Sequence, residues 1–188
     1  MTSAQDGDTS PDAVIAATRR WLARAVIGLN LCPFAKAVDA KDQIRYVVSQ
    51  ARTDEELLVD LGRELQILAS ADPEVCDTTL LIHPYALTDF LDYNDFLDVA
   101  DAAIDEMGLG GVLQVASFHP DYQFAGTAVD DVGNCTNRSP YPTLHLLRED
   151  SVDRAVEAFP EADRIYATNI ETLERLGHAG WMKLWAGT

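Results

Sequence analysis

Between Phe118 and Glu149 the chain reads FHPDYQFAGTAVDDVGNCTNRSPYPTLHLLRE, a span that holds two histidines, two arginines, two asparagines, four aromatic rings and three prolines. Core segments carry aliphatics at a regular period and passive loops carry small or charged residues, so this mixture is where chemistry is expected. His119 and His145 supply imidazoles, the side chains best suited to moving a proton near neutral pH. Asn137, Arg138, Tyr141 and Arg148 supply the amide, guanidinium forks and hydroxyl that grip a carboxylate or phosphate. Cys32, followed by Pro33 in GLNLCPFAK, has three readings: a buried small hydrophobe, a nucleophilic thiolate activated by these imidazoles and arginines, or a soft metal ligand.

A transition-metal site is the alternative constellation, drawing on Cys32, His83, His119 and His145. No CxxC, HxxxH or HExxH spacing accompanies those four residues, so sequence alone does not bring them together. Asp130 and Asp131 are two carboxylates without a third, too few for a cation loop. Gly133, Asn134, Asn137 and Arg138 read equally well as turn architecture or as an anion cradle ahead of a helix.

Positioning these residues requires a scaffold, and the chain suggests one. Val14, Thr18, Trp21, Leu22, Ala25 and Leu29 recur at helical spacing after Pro11 and Asp12, and Gly28, Asn30 and Pro33 end that helix, leaving Cys32 in the turn beyond it. IRYVVSQ at 44–50 reads as a strand. The Leu57, Leu58, Leu61, Leu65 and Leu68 stripe reads as a helix. TTLLIHP is a second strand, Tyr93 to Met107 a second long helix, and VLQVASFHP a third strand.

Strand, helix, strand, helix, strand predicts an α/β fold, with α+β as the variant: a single domain with a small, mainly parallel sheet of at least three strands covered by helices. Two of the strands end in His-Pro, at His83-Pro84 and His119-Pro120. In a parallel sheet both imidazoles would reach the carboxyl edge, where open α/β sheets hold ligands. Ser139 is expected to cap a helix through Pro140 and Pro142 that places Tyr141, His145, Arg148 and Glu149 on one polar face. From residue 151 onward the chain looks helical in pieces, punctuated by Pro160 and Gly177, with Trp181, Leu184 and Trp185 as an apolar patch.

Residues 1–11 are polar and read as a disordered tail, and residues 12–188 as one globular domain. A length of 188 residues and a 47% hydrophobic composition allow a core without metal or disulfide support. The net charge of −17 repels nucleic acid and anionic membranes, and no apolar run approaches the ~20 residues of a bilayer span. Neither partner is expected. Three widely spaced cysteines and no signal peptide point to a reducing, cytoplasmic setting.

GLNLCPFAK, FHPDYQFAG and NRSPYPTLHLLRE together resemble the bacterial family catalogued as domain of unknown function 1415, over the span from about Thr18 to Asp153. The resemblance implies a small soluble protein whose distinctive residues correspond to Cys32, Pro33, His119, Asn137, Arg138, His145, Arg148 and Glu149; it carries no reaction. The residues themselves give the functional expectation. The first is a small-molecule enzyme for an anionic substrate, with Cys32, His119 and His145 catalytic and Asn137, Arg138, Tyr141 and Arg148 binding, all in one cleft. The rivals are the transition-metal enzyme and a non-catalytic metabolite binder or sensor.

Overall fold

The structure, a computed structural model, describes residues 9–158 and 164–184. Most of the expected tail lies outside that range, as do Pro160 and Trp185; Ser10 and Pro11 already belong to the first helix. Helix α1 spans Pro11–Trp21, capped by the Ser10 side chain. Its axis continues as a π-helical segment, Leu22–Ile27, that ends at Gly28. A Cβ at Gly28 would sit 2.3 Å from the Arg24 carbonyl oxygen, so only glycine closes this wide turn. Cys32 follows in irregular chain, before a short helix α2, Ala35–Ala40.

The sheet is built from β1 (Ile44–Val48), β2 (Thr78–Ile82), β3 (Leu113–Phe118) and β4 (Thr143–Arg148), in the order β1-β2-β4-β3. Helices α3 (Asp54–Ser70) and α4 (Phe90–Glu106) cover one face. The other face meets α1, the π-helical segment and α6 (Ile165–Lys183), while α5 (Glu149–Ala158) follows β4 directly. Leu57, Leu61, Leu65 and Leu68 of the α3 stripe are all fully buried, each worth about 1.5–3 kcal/mol of apolar burial. No helix among the described residues is long and apolar enough to cross a membrane.

Two expectations are corrected. The sheet is not mainly parallel: β1 and β2 run parallel, but β4 pairs antiparallel with both β2 and β3. The reason is the second correction, because residues 143–148 form a strand where a helix from Ser139 was expected. Pro140 and Pro142 each disfavour the helical conformation in the residue before them, so Ser139 and Tyr141 cannot start a helix. The stretch TLHLLR then alternates. Leu144, Leu146 and Arg148 turn to the α3/α4 face, while Thr143, His145 and Leu147 turn to the opposite one, as their cross-strand partners do.

Arg148 consequently sits far from the site expected for it. Its Nη2 donates to the carbonyls of Leu68 at 2.6 Å, Ala71 at 2.7 Å and Cys76 at 3.2 Å. These carbonyls lie in the last turn of α3 and in the loop beyond it, at the negative end of the helix dipole, where a cation is the natural partner. Arg148→Lys keeps the charge but shortens the side chain, drawing the donor back from the three carbonyls that Nη2 reaches. It should destabilise the fold by about 1–3 kcal/mol, read as a fall in melting temperature of roughly 2–10 °C. An unchanged melting temperature would show that the clamp contributes nothing.

Candidate functional site

Because β2 and β3 are both antiparallel to the strand between them, they point the same way. His83 and His119, each one residue past the end of its strand, therefore emerge at one edge of the sheet. Both are fully buried, at 0% exposure, on the α4 side. Tyr93 of α4 stands between them, its ring 5.8 Å from His83 in a stacked arrangement and 5.1 Å from His119. The Tyr93 hydroxyl donates to the Thr143 carbonyl at 2.9 Å and accepts from the Phe118 amide at 3.0 Å. Burial pushes its pKa up, so it remains a neutral phenol with both bonds in place.

The hydrogen bonds fix both tautomers. The Asp121 amide donates to His119 Nδ1 at 3.0 Å, so the ring proton lies on Nε2, which reaches the Leu87 carbonyl at 3.2 Å. His83 donates from Nδ1 to the Ala86 carbonyl at 2.9 Å, which leaves Nε2 as a bare lone pair. That Nε2 is buried without a partner among the described residues. Burial, reinforced by the neighbouring His119, pushes the His83 pKa down to about 4. Burial also lowers that of His119, against the opposing pull of the Leu87 carbonyl and of Asp121 and Asp89.

The acceptor of the His119 proton is itself strained. Leu87 has φ of 52°, a left-handed conformation that costs a branched residue about 1–2 kcal/mol. Asp89, two residues on, caps α4 by accepting from the Leu91 amide at 2.8 Å. The loop between β2 and α4 is thus held in a bent form from both ends, by His119 at Leu87 and by the helix cap at Asp89.

His145 belongs to the other face. The Thr78 hydroxyl gives its proton to the Leu146 carbonyl at 2.6 Å, so the 2.7 Å contact between His145 Nε2 and Thr78 Oγ1 runs from the imidazole to the oxygen. The ring lies 6.0 Å from that of Phe118 and is half-buried. Burial pushes its pKa down to about 4. Cys32, also half-buried, packs with Trp21, Leu31 and Phe118 in the cluster on this same side. The structure therefore divides the expected catalytic set, with His119 on one face and His145 and Cys32 on the other.

The expected binding residues are occupied with architecture. Arg138 donates from Nε to the Tyr122 carbonyl at 3.2 Å and from Nη2 to the Val129 carbonyl at 2.8 Å, while its own carbonyl accepts from Trp21 Nε1 at 2.8 Å. Asn137 ties to the Ser117 carbonyl at 3.0 Å. Asn134 binds the Phe124 amide, the Thr127 hydroxyl and the Ala128 carbonyl. The ring of Tyr141 packs against the Val14, Leu80 and Ile82 cluster. Arg148 pairs with Leu113 at the opposite end of β3 from His119, roughly 20 Å away along the strand. The single cleft expected for Cys32, His119, Arg138, His145 and Arg148 is not formed, because alternation and strand length send them to different faces and ends.

Sequence reasoning passed over Tyr93, Phe90, Tyr122 and Leu87. Tyr93 enters the sequence reading only as the start of a helix, although a buried tyrosine must find partners for its hydroxyl; that requirement is the available signal. Phe90 touches His119 at 5.5 Å and Tyr122 at 5.2 Å between ring centroids, which no spacing rule reveals. Nothing in the residue type of Leu87 announces its backbone conformation. Among the described residues, no three His, Cys, Asp or Glu side chains converge as a metal-holding group.

Fold and geometry together define a three-layer α/β/α protein with a buried imidazole pair at one edge of a mixed sheet. Residues 13–183 match the family model described as protein of unknown function (DUF1415), and the chain belongs to that family. No curated protein and no solved structure matches the chain.

Two outcomes follow from this geometry. The folded state holds His83 and His145 well below the unfolded value of 6.5, at about 4, and so binds fewer protons than the unfolded chain between those limits. Stability is fully present above pH ~6.5 and is lost as pH falls toward ~4, by roughly 3 kcal/mol for fully buried His83 alone. The His83 and His145 ring resonances should stay in the neutral form down to pH ~5; a midpoint near the unperturbed value for either would overturn the assignment. For the thiols, Cys135 is 1% exposed and burial raises its pKa, so in the folded protein iodoacetamide should modify Cys32 well before Cys135. If Cys32 is a nucleophile it must also outpace half-buried Cys76, and peptide mass mapping showing equal rates removes it from that role.

Proposed function

We propose that the protein is a small-molecule enzyme whose pocket is the carboxyl edge of β2 and β3, with His83 Nε2 accepting a proton or hydrogen bond from the substrate. His119 stands beside it as a neutral imidazole of fixed orientation. The observation that supports this reading is the fully buried ring nitrogen without a partner. An unsatisfied buried acceptor costs about 1–3 kcal/mol, and native proteins keep few of them. A donor brought by a ligand removes that cost. Held at about 4, the His83 pKa keeps the lone pair available throughout the neutral range, and the rings of Tyr93 and Phe90 limit water around the pair.

The arginine grip on a carboxylate or phosphate loses its support, since the donors of Arg138 and Arg148 that bond are spent on carbonyls. A metal-dependent version would have only His83 and His119 on the same face as ligands, with His145 and Cys32 across the sheet. Three free thiols fit a reducing, cytoplasmic compartment. A second reading, a non-catalytic binder, is favoured by one feature: both imidazoles are closed off from solvent, as in a pocket that encloses a ligand. Turnover separates the two.

His83→Leu provides the test. It removes the unpartnered nitrogen but strands the Ala86 carbonyl, so the two effects offset and stability should stay within about 1 kcal/mol of wild type. A panel of small amines, acids and alcohols should then be screened by thermal shift. Any compound that stabilises wild type through this pocket should lose its effect in the variant. A large fall in the variant's melting temperature, with ligand shifts retained, would make His83 a structural residue.

A further inference from the structure

We infer that the outer seam between α3 and α4 is a docking groove for a partner protein, and that its occupant is a basic amphipathic helix. The groove opens on the solvent side of the two helices and does not rest on the reading of the imidazole edge.

The helices run side by side and leave an opening at each end of their seam. The first, of about 390 Å³, has a floor of Leu58, Phe96 and Val99 and a rim of Asp54, Glu55, Asp92 and Asp95. The second, of about 400 Å³, is lined by Ala69, Met107 and Leu109 with Gln66 and Ser70. Val99 and Met107 are 43% and 39% exposed, so apolar surface faces water at both ends. Gly62 stands between the openings, four residues after Leu58 and four before Gln66, on the same ridge of α3. A Cβ there would meet nothing within 4 Å. Glycine weakens a helix interior relative to alanine, and no described neighbour crowds the position; a second helix laid along the seam would bring its backbone close at that point. From Leu58 to Ala69 the seam is ~16 Å long, roughly three turns, which suits the i, i+4, i+7 anchors of a docked amphipathic helix.

The charge beside the groove selects a basic occupant. Helix α4 carries six carboxylates and no lysine or arginine. Asp105 and Glu106 stand in its last turn, where the helix dipole disfavours an anion, and Asp92, Asp95, Asp98 and Asp101 follow at a spacing of three, where like charges repel. Helix stability does not account for them. Helix α3 adds five more carboxylates. Four arginines keep their charge nearby: Arg45 and Arg63 pair with Glu64 and Asp60, Arg52 lies over the Tyr85 ring, and Arg148 reaches the end of α3. None of the four lines either opening, and the eleven carboxylates of the two helices outnumber them. The N-terminal dipoles of both helices offset only about one unit of charge at the acidic rim.

The competing explanation is that this acidity serves solubility alone. A fluorescent Leu/Lys peptide of about fifteen residues, with leucines at helical spacing, decides between them by anisotropy on the full chain, beside a scrambled peptide of the same composition. The patterned peptide should bind saturably with a Kd of about 10 μM or tighter, and about tenfold more tightly than the scrambled one. Gly62→Gln puts a helix-forming side chain into open space without altering charge, so the protein should melt no lower than wild type while its affinity falls about tenfold. Asp92→Asn with Asp95→Asn should weaken binding roughly fivefold, and Glu171→Gln with Glu174→Gln on α6, across the sheet, by less than about twofold. Absence of saturable binding, no preference over the scrambled peptide, an unchanged affinity in folded Gly62→Gln, or equal losses from the two charge pairs would each overturn the inference. So would a wild-type dimer in sedimentation equilibrium that Gly62→Gln dissociates, because the occupant would then be a second copy of the chain.

Discussion

The Tyr93 hydroxyl holds together the edge of the sheet that carries the candidate site. At the last residue pair of the β3–β4 ladder, Phe118 opposite Thr143, it takes the amide of one strand and the carbonyl of the other. A side chain from a helix thereby completes the end of a sheet. Buried backbone groups must be paired, so α4 cannot slide without stranding both strands at once. The same ring then serves as the partition against which His83 and His119 rest. Position of the helix, end of the sheet and spacing of the imidazoles are one constraint, which is why a strained Leu87 can persist beside it.

Charge is distributed to match. The chain carries 31 acidic and 14 basic side chains, and two of its arginines are committed to carbonyl oxygens in the interior of the architecture. Arg148 closes the end of α3 and Arg138 ties the loop after β3 to its own turn. A guanidinium bonded to neutral carbonyls keeps its full positive charge, so both arginines still contribute to the local field.

The opposite face of the sheet has a different character. There a π-helical segment, Gly28 and the turn at Cys32 bring a thiol to the cluster around Trp21 and Phe118, while His145 hydrogen-bonds Thr78 within the sheet itself. The Thr78 hydroxyl in turn donates to the Leu146 carbonyl, and burial keeps the imidazole neutral. The bond joins β2 to β4, so His145 reinforces the pairing of the two strands.

The sequence by itself determined the elements whose pattern is local. The leucine stripe of α3, the helix ending near Gly28, the three strands read at 44–50, 78–84 and 112–120, and the His-Pro that follows two of them come from periodicity and punctuation over a dozen residues; that both imidazoles reach one edge was decided by the pairing of β2 and β3 with β4. It also placed Cys32 in a turn and Gly177 at a break, where the helix backbone turns to φ 64°. What it did not contain was the partner of each segment. TLHLLR satisfies a helical arc and a strand alternation alike, and only the vacancy between β2 and β3, with two prolines ahead of it, made it β4. Once that strand was inserted, His145 and Arg148, three residues apart, were forced to opposite faces, and Arg148 met the carbonyls of a helix about eighty residues earlier in the chain. Side-chain chemistry can be read from residue types, but whether two groups meet depends on strand pairing and helix packing at long sequence separation, and those are decided by the free energy of the whole fold.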